Sequence, residues 1–208
     1  MKKRTFRIVS GVGAAALAMI GVSAGVSFAG QAPQAAPLAA PADAGSSAQA
    51  DSFLGGKPSV PDAIKVPGGN VQTSVFKAHG VQNYGCSATG AWALLEPAAV
   101  LTGLSLKPVK PVSAIHFRGP SWQSDSDGSL VEGTSPVSAP SANPNSIPQL
   151  LITAKVLSPA RTQSGVFADV TFVQRLNTKG GVAPAGACSA GQTTAVKYTA
   201  DYRFFKKA

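Results

Sequence analysis

The sharpest pattern in the chain is a two-residue alternation near its end. From Ala195 to Phe205, Val196, Tyr198, Ala200, Tyr202 and Phe204 fall on one face, with Lys197, Thr199, Asp201 and Arg203 on the other. Successive side chains of a strand point to opposite faces, so the run predicts a half-buried strand with an aromatic inner face. Val166 to Val173 alternates similarly and is rich in β-branched and aromatic residues, which fit a pleated surface. Leu150–Leu157, Val81–Ala88, Ser113–Phe117 and Leu130–Glu132 read as further strands, the last placed after a turn at Asp127-Gly128. Trp92–Leu95 and Ala98–Leu101 read as two shorter strands, and Glu96-Pro97 between them argues against one long helix. Gln174 to Pro184, polar and glycine-rich, reads as a long loop. No amphipathic helix of three or more turns stands out. Short strands divided by Gly, Pro, Asn and Asp clusters predict an all-β fold, a single antiparallel sandwich or barrel.

The pattern changes toward the N-terminus. Lys2, Lys3, Arg4 and Arg7 precede an apolar run from Ile8 to Val22, and Ser27-Phe28-Ala29 supplies a small-x-small cleavage pattern. This predicts a signal peptide over 1–29 and a secreted, extracellular protein with no membrane span in the mature chain. Lys3-Arg4-Thr5-Phe6 is a loose match to a twin-arginine signal, and the ordinary secretory route fits better. Residues 30–59 are dominated by Ala, Gln, Pro, Gly, Ser and Asp, which predicts a disordered spacer. The all-β domain is then expected over 60–208.

Four of the 18 basic residues and none of the nine acidic ones lie in the signal, so the net charge drops from +9 to +5. That charge suits attraction to an anionic cell-wall polymer or a membrane surface, and a small ligand is the other expected partner. The remaining Lys and Arg are scattered, with no basic helix and no aromatic-basic interleaving, which argues against nucleic acid. Cys86 and Cys188 form an even pair in an exported chain and are expected to make one disulfide.

Catalytic and cofactor motifs are sparse. Gly11-Val12-Gly13 imitates a dinucleotide-binding turn but sits in the apolar core of the signal, so no cofactor is expected. Neither Gly119-Pro120-Ser121-Trp122 nor Gly133-Thr134-Ser135-Pro136 makes a nucleophile elbow. Asp125, Asp127 and Glu132 offer oxygens for calcium around Gly128, without completing a known loop pattern; an acidic hairpin turn is the simpler account. The densest unusual chemistry is His116-Phe117-Arg118-Gly119-Pro120-Ser121-Trp122, which joins an imidazole, a guanidinium and an indole. With Arg175 and Asn177 from the second polar segment, His116, Arg118 and Trp122 form the candidate ligand-binding set.

Several segments together carry a resemblance. Gly80-Val81-Gln82-Asn83-Tyr84-Gly85-Cys86, Trp92 with Glu96-Pro97, the His116–Trp122 run and Asp127-Gly128-Ser129 are followed by Ile147-Pro148-Gln149-Leu150-Leu151. Next come Val173-Gln174-Arg175-Leu176-Asn177-Thr178-Lys179-Gly180-Gly181, Ala183-Pro184 and Tyr198-Thr199-Ala200-Asp201-Tyr202-Arg203-Phe204. In this order they resemble the landmarks of the domain of unknown function 3455 family. Phe117, Arg118 and Gln149 depart from its pattern, where Tyr, Ala and Trp are usual. The resemblance implies a secreted bacterial or fungal protein with a paired cysteine, and it brings no activity or catalytic residue. The reading that follows is a non-catalytic ligand- or surface-binding β domain. A secreted hydrolase acting on glycans and an envelope-associated structural protein are the alternatives.

Overall fold

The structure, a computed structural model, describes residues 42–158 and 165–208. The expected signal over 1–29 and the first part of the expected spacer, 30–41, lie outside these residues. Eight strands follow one another as β1 (Asn70–Cys86), β2 (Trp92–Leu106), β3 (Val109–Phe117), β4 (Ser121–Ser124), β5 (Leu130–Ala139), β6 (Gln149–Ser158), β7 (Val170–Gly180) and β8 (Thr193–Lys207). Each pairs with the next, and β8 returns to β1 to close an antiparallel barrel. Closure rests on the two long terminal strands, paired from Asn70 with Lys207 to Gly85 with Thr193. A closed sheet leaves no row of unpaired edge groups. Of the two all-β architectures read from the sequence, the protein is therefore the barrel, and it carries the Cys86–Cys188 disulfide.

The alternation in β8 does what it predicts. Tyr198, Ala200, Tyr202 and Phe204 are buried in the barrel interior, where they meet Phe76, Leu101, Trp122, Val131, Ile152, Phe167 and Val173. The Phe167 and Phe204 rings lie 4.5 Å apart, and Phe76 meets Phe204 edge-on at 5.4 Å. Such aromatic contacts add to the burial of their area.

Three expectations change. Trp92–Leu106 is one strand rather than two, running through Pro97. Pairing with β3 begins only at Ala99, so Pro97 lies where β2 has β1 as its single neighbour and a missing N–H is tolerated. The polar segment from Gln174 is strand up to Gly180 rather than loop. Its polarity reflects special partners: Gln174 donates from Nε2 to the Ile64 carbonyl at 2.7 Å. Leu176 is buried outside the barrel against Ile64, Ala139 and Leu151.

The third change falls inside the expected spacer. Helix α1 (Ala42–Leu54) packs Ala50 and Leu54 on Val75 and Leu106 of the outer barrel wall, with Phe53 and Leu104 beside them. A helix of this length is marginal alone. The barrel wall supplies the apolar partner that local composition lacks, and Asp51 reaches Arg203 at 2.8 Å.

Candidate functional site

The β3–β4 turn, Arg118 to Pro120, lies at one mouth of the barrel. Gly119 takes φ +144°, a region open to glycine, and the bond to Pro120 is cis. This tight return sets His116 directly opposite Trp122. Their rings stack at 4.4 Å with planes 1° apart, and Tyr202 closes on both edge-first, at 5.5 Å from His116 and 5.7 Å from Trp122. Gly133 makes room for the indole: a Cβ there would stand 2.6 Å from Ile152 Cγ2 and 3.2 Å from the Trp122 ring. Trp122, Tyr202 and His116 thus form a rigid aromatic floor.

Above this floor opens a cavity of about 360 Å³. Leu94, Leu95, Pro97, Pro120, Leu150 and Ile152 make most of its wall, and Gln82, Glu96, Arg118 and Arg175 add polar groups. Leu94 and Leu95 are both exposed, at 55% and 48%. The register between β1 and β2 shifts there, from Asn83 opposite Glu96 to Tyr84 opposite Leu94. Leu95 is the extra residue of a bulge, so two consecutive leucines sit on the lip where strict alternation would have turned one away.

His116 is buried, and its Nδ1 lies 2.8 Å from the Ser121 carbonyl oxygen. A carbonyl only accepts, so Nδ1 carries the proton and Nε2 is left as an acceptor. Burial lowers its pKa to about 4; the Ser121 bond opposes that shift and the Arg175 charge adds to it. The imidazole is therefore neutral at physiological pH. Arg175 is itself 9% exposed. Its Nε and Nη2 donate to the Pro148 carbonyl at 3.2 and 2.9 Å. Burial raises the pKa of Tyr84 and Tyr198 above the usual phenol value, and the nearby Arg175 charge opposes each shift without reversing it. Among the described residues, the Trp122 Nε1 and the Tyr198 and Tyr202 hydroxyls are buried without a hydrogen-bond partner of good geometry.

The structure thus brings His116, Arg118, Trp122 and Arg175 around one cavity. Arg118 lies on the exposed rim, paired with Glu96 at 3.1 Å. Asn177 is elsewhere. The register slips between Leu176 and Lys179, Asn177 takes φ +50°, and its Nδ2 donates to Asp201 Oδ2 at 2.7 Å in an outer hollow beside Lys77 and Lys179. Of the three residues of the calcium alternative, Asp127 is committed to the fold. Asp127 Oδ1 accepts from the Ser129 N–H and hydroxyl at 2.9 and 2.6 Å, and Oδ2 from the Val166 N–H at 2.8 Å. Among the described residues no cluster of three His, Cys, Asp or Glu could hold a metal. Gln82, Leu94, Leu95, Leu150, Ile152 and Tyr202 belong to the cavity and were not among the candidates. The inward run of β8 was the available signal for Tyr202.

Both cysteines lie at this same mouth, where their 2.00 Å bond ties the end of β1 to the β7–β8 loop. Tyr84 adds a second tie, donating to the Gly181 carbonyl at 2.6 Å.

Fold and site together define a closed eight-stranded antiparallel barrel with a cavity at its disulfide-tied mouth. Residues 104–206, from the end of β2 through β8, match the family model described as protein of unknown function (DUF3455), the family whose landmarks the sequence resembles. No curated protein and no solved structure matches it. Among the described residues no helix is long and apolar enough to cross a membrane.

Proposed function

We propose that this is an exported binding protein whose barrel mouth takes one small, mostly apolar molecule. One observation carries the reading: a cavity of about 360 Å³ with an aromatic floor, an aliphatic wall and a few convergent polar groups. Ligand sites of known proteins are of this kind, largely apolar with a small number of placed polar contacts, and begin at about 300 Å³. A volume of about 360 Å³ suits a small molecule. Glycan hydrolysis by the usual pair of carboxylates finds Glu96 alone in the lining, engaged by Arg118. The signal over 1–29 and the disulfide support an extracellular setting.

Octanol is a suitable neutral probe, followed by two-dimensional amide NMR. Saturable shifts are expected at Gln82, Trp122, Leu150 and Tyr202, and Leu150→Trp, which fills the cavity, should abolish them. If octanol moves none of these resonances, or moves them equally in the filled variant, the reading fails.

A further inference from the structure

We propose that the ligand of the mouth cavity is an organic monocarboxylate, its carboxylate held by Arg175 and its apolar body by the leucine lip. This rests on the small-ligand reading above and adds the chemical class. A buried charge is expensive unless it is paired. The barrel meets that requirement at the other buried arginine among the described residues: Arg203, whose side chain is 8% exposed, is paired with Asp51 at 2.8 Å. Arg175 is treated differently. Two of its nitrogens serve the Pro148 carbonyl, Nη1 has no partner among the described residues, and no carboxylate comes within ion-pair distance. The side chain lines the cavity.

The remaining charges do not compensate it. Arg118 and Glu96 pair with each other on the rim, leaving the cavity lining with a net charge of one positive unit from Arg175. His116 is neutral, and the hydroxyls of Tyr84 and Tyr198 keep their protons. A single negative charge brought in from outside would balance the site. A guanidinium suits a carboxylate because its planar fork matches two oxygens and is weakly hydrated. The exposed Leu94 and Leu95 beside it call for a hydrocarbon body rather than a sugar or an inorganic anion.

Octanoate and octanol differ only in the charged head and make the test. Titrated into the protein and followed by calorimetry and amide NMR, octanoate should bind at least tenfold more tightly than octanol. Arg175→Gln should remove that preference, so that octanoate and octanol bind alike within the variant, and Arg175→Lys should restore part of it. Equal affinities in the wild-type protein overturn the inference and leave the small-ligand reading standing; this comparison needs no variant to fold. A preference that survives Arg175→Gln overturns the assignment to Arg175. If neither probe binds, both readings fall.

Discussion

His116 shows how a single buried side chain couples the site to stability. Its imidazole is held neutral, with the pKa lowered from 6.5 to about 4, chiefly by burial. The unfolded chain therefore binds a proton at a higher pH than the folded one. The stabilisation is complete above the unfolded pKa and is lost as pH falls through 6.5 toward about 4. A shift of this size amounts to roughly 3 kcal/mol across the window. Urea denaturation at neutral pH and near pH 5 should show a drop of about 2 kcal/mol, and His116→Gln should flatten it. An unchanged pH slope in that variant would count against the assignment. Asp127 acts at lower pH: burial pushes its pKa up, but the Ser129 and Val166 donors outweigh that and leave it below the usual carboxylate value. Asp201, raised mainly by burial, works in the opposite sense.

At the scale of elements, helix α1 is held to the barrel by an ion pair beside an apolar patch. Asp51 pairs with Arg203, whose Nη1 is also 3.4 Å from Gln72 Oε1. Asp51→Asn removes the charge that balances a buried guanidinium, so a loss of ~1–3 kcal/mol is expected. The loss should be accompanied by faster proteolysis near residues 55–60, measured against the wild-type protein; a helix equally protected in both would contradict it. This helix also shows where sequence reasoning stops. Its residues give no helical stripe, and the partner surface of Val75, Leu104 and Leu106 comes from strands far along the chain. Pro97 and the polar run of β7 misled for the same reason, since neighbouring strands and the Ile64 carbonyl decide their role. What was legible was local: the inward face of β8, and the strand over Ser113–Phe117 that carries His116. Arg175 stood out by its chemistry, whereas Asn177 was turned outward by a register slip that no composition reveals.

For the whole molecule the deciding feature is how the cavity end is closed. The ladder between β1 and β8 runs the full length of both strands, and the disulfide fastens it at the mouth rather than at the base. The cysteines are 102 residues apart. Constraining a loop of that length in the unfolded chain is worth ~4–5 kcal/mol on the entropic account. A Cys86→Ala, Cys188→Ala double variant should lose most of that in denaturation. The position of the bond makes a sharper prediction. At the base, Asn70 and Val71 pair with Lys207 and Lys206, and they should keep their protection from hydrogen exchange up to the lowered global limit. Gly85 and its partner Thr193 sit beside the lost bond, and they should fray below that limit. The cavity wall is built on these mouth strands, so octanol affinity should fall with them. A variant that loses stability evenly at both ends, with octanol affinity intact, would make the disulfide a general staple. Loss confined to the mouth would make it the frame of the binding site.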